Sequence, residues 1–169
     1  LDPASSYKHF QEWFILASQI YWEAVMKHLE GKGPESAVKA AEEPLLVVRQ
    51  AIDSLLRPST GWHGLEYSHS HEKSLILHHE QYGALKVDVL SDGIRSVLAM
   101  IGDIAYRSYK LNPHMGTEAA REARGVVLID EFIVGGLLAP GGTVAGAIAV
   151  AAERIVVAPG ALLFVFDAD

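Results

Sequence analysis

"VLSDGIRSVLAMIGDIAYRS", Val89 to Ser108, holds a turn and the start of a long helix. Ser-Asp-Gly at 91–93 interrupts an apolar run. Ile94, Val97, Leu98, Ile101, Ile104 and Ala105 then recur at steps of three and four, which predicts an amphipathic helix over 92–110. Ser91 is a natural N-cap for it.

Working upstream, three short strands are expected at 63–69, 73–79 and 84–89. In the last, Leu85, Val87 and Val89 alternate with Lys86 and Asp88, so one face should be buried and one wet. Glu80 to Gly83 reads as a hairpin turn. Before the strands, apolar residues at helical spacing predict helices over 7–30 and 35–56, parted by Gly31-Lys32-Gly33-Pro34 and forming a helical hairpin. In the second, Val38, Ala41, Leu45, Val48, Ile52 and Leu55 make a seam suited to another helix. Trp13 and Trp22 read as core or interface anchors rather than a cofactor box.

The strand region carries His63, His69, His71, His78 and His79. His69 and His71 are expected to share a strand face, and His78 and His79 to point oppositely. No carboxylate pattern completes a metal site, so a solvated polar face is the favoured reading.

Downstream, 111–125 is a polar connector. "GVVLIDE" at 125–131 follows, a β-branched apolar run suited to a strand buried on both faces of a parallel sheet. Asp130 and Glu131 would then stand at its carboxyl end, where open α/β sheets place their ligands. The remainder is rich in alanine and glycine; within it 143–154 reads as a helix, and "RIVVAP" and "ALLFVF" as strands.

Composition narrows the classes. The chain has 169 residues, half of them hydrophobic, enough for one domain with a real core. A net charge of −7 argues against a chain-wide nucleic-acid footprint. Without cysteine there are no disulfides and no thiolate metal sites, which suits a cytoplasmic protein. The N-terminal "LDPASS" has no signal-peptide character. Residues 132–152 carry no charge over a span long enough for a bilayer, but Gly, Ala and Pro140 break the run and two acids precede it, so no membrane partner is expected.

The two punctuated stretches carry the chemistry. The first turn of a helix has unpaired N–H groups and partial positive charge, which attract phosphate. Ser91 adds a hydroxyl, and Gly93 lets an anion approach the backbone. Two adjacent carboxylates at a strand end suit a Mg²⁺–phosphate unit: Asp130 would hold the ion through its water shell and Glu131 would orient and deprotonate the attacking water.

"LSDG" at 90–93, leading into "IRSVLAMIGDIAYR", resembles the signature motif of ABC-class ATPases, and "GVVLIDE" resembles their Walker B strand with its catalytic glutamate. Together they resemble the bacterial RecF/SMC-like, OLD-like AAA-type ATPases, over residues 7 to 131. The resemblance implies an α/β fold: a fragment of a P-loop NTPase, the ABC ATPase head, with a helical hairpin insertion and a small β-hairpin region. It divides the chain into a hairpin or arm region (1–61), the signature and Walker B part of the head (62–131) and an atypical tail (132–169). It implies ATP and Mg²⁺ as cofactors and a homodimer of heads. Ser91 and Gly93 would cap, in trans, the γ-phosphate of ATP held by the partner; Asp130 would support Mg²⁺; Glu131 would be catalytic. DNA enters as a partner through the family alone.

The family pattern is incomplete. No G-x-x-x-x-G-K-[S/T] segment is present. Glu131 is followed by "FIVGGLLAPGG" rather than a D-loop, and no histidine follows His114 to act as the switch residue. The sequence therefore reads as an internal piece of an ATPase, inactive alone, whose tail is expected to come from a shifted frame or rearranged end. The competing reading is a non-catalytic helical interaction module, in which "LSDG" is a plain cap and "IDE" a strand end.

Overall fold

The computed structural model describes residues 3–122, 125–130, 154–158 and 161–166, and the side-chain surroundings of residues 7–122. Helix α1 spans Pro3–Leu29 and α2 spans Glu35–Thr60, making the expected hairpin. Gly31 turns the chain at φ 71° while the Lys32 N–H closes on the Lys27 carbonyl at 2.8 Å.

Helix α2 continues past the end expected at residue 56. Pro58 lies in its last turn, where a missing N–H forfeits one bond and does not break the helix. The Ser59 and Thr60 hydroxyls donate back to the Leu55 and Leu56 carbonyls, and Gly61 (φ 79°) caps the end with its N–H on the Arg57 carbonyl.

Strands β1 (His63–Ser68), β2 (Ser74–His79) and β3 (Gly83–Lys86) form an antiparallel meander in that order. Its β1 edge is fastened to α2: Arg49 Nε donates to the Leu65 carbonyl at 3.0 Å, and Asp53 accepts the Gly64 N–H at 2.7 Å. Helix α3 (Asp92–Leu111) packs on both helices of the hairpin.

One core joins all of these elements. Phe14, Leu45, Ile52, Leu56, Leu65, Leu75, Leu77 and Leu98 are wholly or almost wholly buried in it. It runs across the division drawn at residue 61, because the hairpin buries its apolar stripe against the same sheet and helix that lead to "LSDG". Between α1 and α3 the contact is close. A Cβ on Gly102 would lie 2.1 Å from the Phe10 ring, so the glycine of "MIGDIA" is where the aromatic side chain seats.

Several local expectations are revised. β1 ends at Ser68, so His69 and His71 lie in the turn to β2 and do not share a strand face; that turn includes Glu72 and Lys73 at φ 57° and 58°. β3 stops at Lys86. Residues Val87–Val89 form a 3₁₀ turn closed by the Leu90 N–H on the Val87 carbonyl, which leaves Val87 buried while Val89 turns outward. The connector contains two short helical pieces, Pro113–Glu118 and α4 (Ala119–Glu122).

A second sheet contains β4 (Gly125–Asp130), β5 (Arg154–Ala158) and β6 (Ala161–Phe166), in the order β4-β6-β5. The strand expected to be parallel is antiparallel: Gly125 pairs with Phe166 and Asp130 with Ala161. β5 and β6, joined by two residues, form an antiparallel hairpin, a link too short for a parallel crossover, and β4 pairs antiparallel on the other edge of β6. Every strand pair among the described residues is antiparallel, so the parallel sheet of an ATPase head is not among them. No helix among the described residues is long and apolar enough to cross a membrane. Residues 132–152, and with them most of the helix expected at 143–154, lie outside the described residues.

Candidate functional site at the mouth of α3

Ser91 occupies the N-cap position, with extended backbone, and its Oγ accepts the Ile94 N–H at 3.4 Å. The Arg95 N–H closes the first turn on the Ser91 carbonyl at 3.1 Å. Ser91, Asp92 and Gly93 are all exposed. A Cβ on Gly93 would meet only the Ser91 hydroxyl, at 3.9 Å, so the space beside Gly93 is open.

Asp92 gains a physical role. Its carboxylate pairs with Arg95 one turn on, and an acid in the first turn also favours the helix dipole. The pair sets a cation beside that negative charge. Arg95 is held in turn, with its guanidinium 6.0 Å from the centre of the Tyr7 ring and Nη1 on the Asp88 carbonyl at 3.5 Å.

Sequence reasoning missed the group behind this turn. Asp88 Oδ1 accepts the Tyr7 hydroxyl at 3.0 Å and the Gln11 side-chain amide at 3.4 Å. Burial, then the Asp88 charge and its hydrogen bond, push the Tyr7 phenol well above the ordinary tyrosine range, against a lowering by Arg95. Tyr7 and Asp88 are 81 residues apart, and no local pattern signals the contact.

Of the other half of the expected site, only Asp130 lies among the described residues. Asp130 closes β4, opposite Ala161, and Glu131 lies outside the described residues.

The histidines have structural duties. Gln81 N–H donates to His79 Nδ1 at 3.0 Å, so Nε2 carries the proton and donates to the Thr60 carbonyl at 3.2 Å. His79 also lies against Trp62, Tyr82 and Gly61, beside an open polar cleft lined by Arg57 and Glu80. His78 Nε2 lies 3.3 Å from Glu66, and His71 Nδ1 bonds the Ser68 hydroxyl at 2.8 Å. Among the described residues no group of three or more His, Asp or Glu side chains is arranged to hold a metal ion.

Compared with known proteins, the chain matches no family model, and no curated protein matches it.

Proposed function

We propose that this chain is the signature and Walker B half of an ABC-class ATPase head, which meets ATP held by a second head. The observation that carries the reading is the mouth of α3. A serine N-cap and an unobstructed glycine stand exposed on a 20-residue helix, within the motif "LSDG". Ser91 and Gly93 would bind the γ-phosphate in trans, with first-turn N–H groups and the helix dipole favouring the anion. Asp130 would hold Mg²⁺ and Glu131 would polarise the attacking water. A cytoplasmic location and pairing of two heads belong to the same reading. Without a phosphate-cradling lysine loop, the chain alone should bind Mg·ATP weakly and turn none over.

Titration of the chain with Mg·ATP, followed by backbone amide resonances, tests this. The expected response includes Ser91, Gly93 and their neighbours at millimolar nucleotide and is lost there in Ser91→Arg. A folded chain with no response at 91–95 overturns it. One observation favours the second reading, a helical interaction module: Trp22, Met26 and Leu29 form an exposed apolar stripe on α1. On that reading, Glu131→Gln in a nucleotide-hydrolysing assembly containing this chain would leave turnover unchanged.

A further inference from the structure

We infer that Tyr7 and Gln11 of α1 are positioning residues for the mouth of α3, acting through the Asp88 carboxylate. The functional meaning rests on the reading of that mouth as a phosphate cap; the mechanical claim does not.

Three groups converge on the turn before Ser91. Tyr7 and Gln11, one helical turn apart on α1, donate to the same oxygen of Asp88. Arg95, already in the first turn of α3, reaches back to the Asp88 carbonyl and covers the Tyr7 ring. Residues 87–89 are a single 3₁₀ turn, held by one backbone bond from Leu90 N–H to the Val87 carbonyl. So short a turn has few ways to fix its own direction. The neutral, buried phenol supplies a directional tether to its charged acceptor.

The same stretch of α1 is also held on α3, because Phe10 is seated against Gly102 and the Trp13 and Tyr106 ring centres are 4.4 Å apart. α1 is also unbroken by internal glycine or proline from Ala4 to Leu29, unlike α2, which contains Pro44 and Pro58. The first turns of α1, the 87–91 turn and the start of α3 therefore form one fastened unit. The aim of Ser91 and Gly93 is set by α1 as well as by the cap of α3.

Amide hydrogen exchange tests this in Tyr7→Phe, which keeps the ring and drops the hydroxyl, and in Asp88→Ala and Asp88→Asn. The reporters are Leu90 and Arg95, whose N–H groups close the turn and the cap. Tyr7→Phe and Asp88→Ala should accelerate their exchange about tenfold, with Leu75–Leu77 and Val97–Ala105 unchanged. Asp88→Asn, which keeps an acceptor oxygen, should restore most of the protection. Unchanged exchange at Leu90 and Arg95, or acceleration spread evenly over the chain, overturns the inference. Asp88 is exposed, so its variants keep the test valid should Tyr7→Phe fold poorly. Mg·ATP titration of the same proteins separates the two claims. Accelerated exchange as expected, with no nucleotide response at 91–95 even in wild type, defeats the phosphate-cap reading alone. Equal nucleotide response in wild type and Asp88→Ala with accelerated exchange defeats the positioning role.

Discussion

Tyr7 to Ser18 and Gln19 to Leu29 are two halves of one helix in different surroundings. In the first half Tyr7, Phe10, Phe14 and Ser18 are buried at steps of three and four. In the second, Ile20, Trp22, Met26 and Leu29 are at least half exposed. The second half is as apolar as the first, so composition does not decide which half is core. The partner elements do: α2 begins its buried run only at Leu45, and α3 meets the first half of α1 at Phe10 and Trp13. Beyond that level, among the described residues, Ile20, Trp22, Met26 and Leu29 have no element packed over them that buries them. Helices with apolar residues on more than one side belong in an interior. The distal hairpin keeps that character with these side chains half exposed or more.

The largest effect should come from the first half. Phe14 is fully buried, beside Phe10 and Trp13 and under the Arg49 guanidinium. Phe14→Ala should cost about 3–5 kcal/mol, read as a fall in the urea midpoint. A loss below about 1 kcal/mol would mean that α1 is not seated in this core.

Next is the contact that locks the first half to α3. An alanine at 102 would place its Cβ 2.1 Å from the Phe10 ring, so the ring must move. Overpacking of this kind costs about 1–3 kcal/mol, against a gain of up to about 1 kcal/mol in helix propensity. Gly93→Ala, with open space at the same helix's mouth, is the control and should be neutral or slightly stabilising. If both variants behave alike, the close approach of α1 and α3 is wrong.

The same contrast explains what the sequence made legible. Periodicity located α1, α2 and α3 well, because their stripes face one core: Leu45, Val48, Ile52, Val97, Leu98, Ile101 and Ala105 are all buried. The N-cap at Ser91 was legible for a local reason, since the acceptor and its N–H lie three residues apart. Alternation misled at β3, because Val89 lies in the 3₁₀ turn and no longer shares a strand with Leu85, which is itself exposed. The histidine spacing at 69 and 71 failed likewise where β1 ended. The Asp88 tether and the seat of Phe10 on Gly102 join residues distant in sequence, and single-chain periodicity carries no signal for either. The parallel strand implied by "GVVLID" could not be read from its composition, since apolar β-branched runs pair in either direction.

A smaller effect concerns the proximal half at high pH. The Tyr7 phenol is held neutral by burial first and Asp88 second. Its folded pKa lies above the unfolded value of about 10. The stabilisation is therefore fully present below about pH 10 and is lost as pH rises from there through the folded value. Urea midpoints at about pH 8 and about pH 11 should fall more in wild type than in Tyr7→Phe. Equal slopes would remove the phenol as the source. Tyr109, raised by burial and its bond to Glu43, contributes to both proteins and cancels in the comparison.

The smallest effect is the sharpest test of the division within α1. Trp22 is 51% exposed and touches Tyr21 of its own helix, with ring centres 5.3 Å apart. Trp22→Ala removes a large side chain that water already reaches, so stability should change by no more than about 0.5 kcal/mol. Alanine's higher helix propensity offsets what packing is lost. The same substitution type costs several times more eight residues earlier, at Phe14, on a helix without a break between the two. Urea unfolding of the two variants side by side reads that ratio directly. A loss above about 1 kcal/mol at Trp22 would place something over the distal hairpin, and the division of α1 into a core half and an open half would fall. A neutral result, with Phe14→Ala strongly destabilised, fixes the boundary near Ser18, where the buried run of α1 stops.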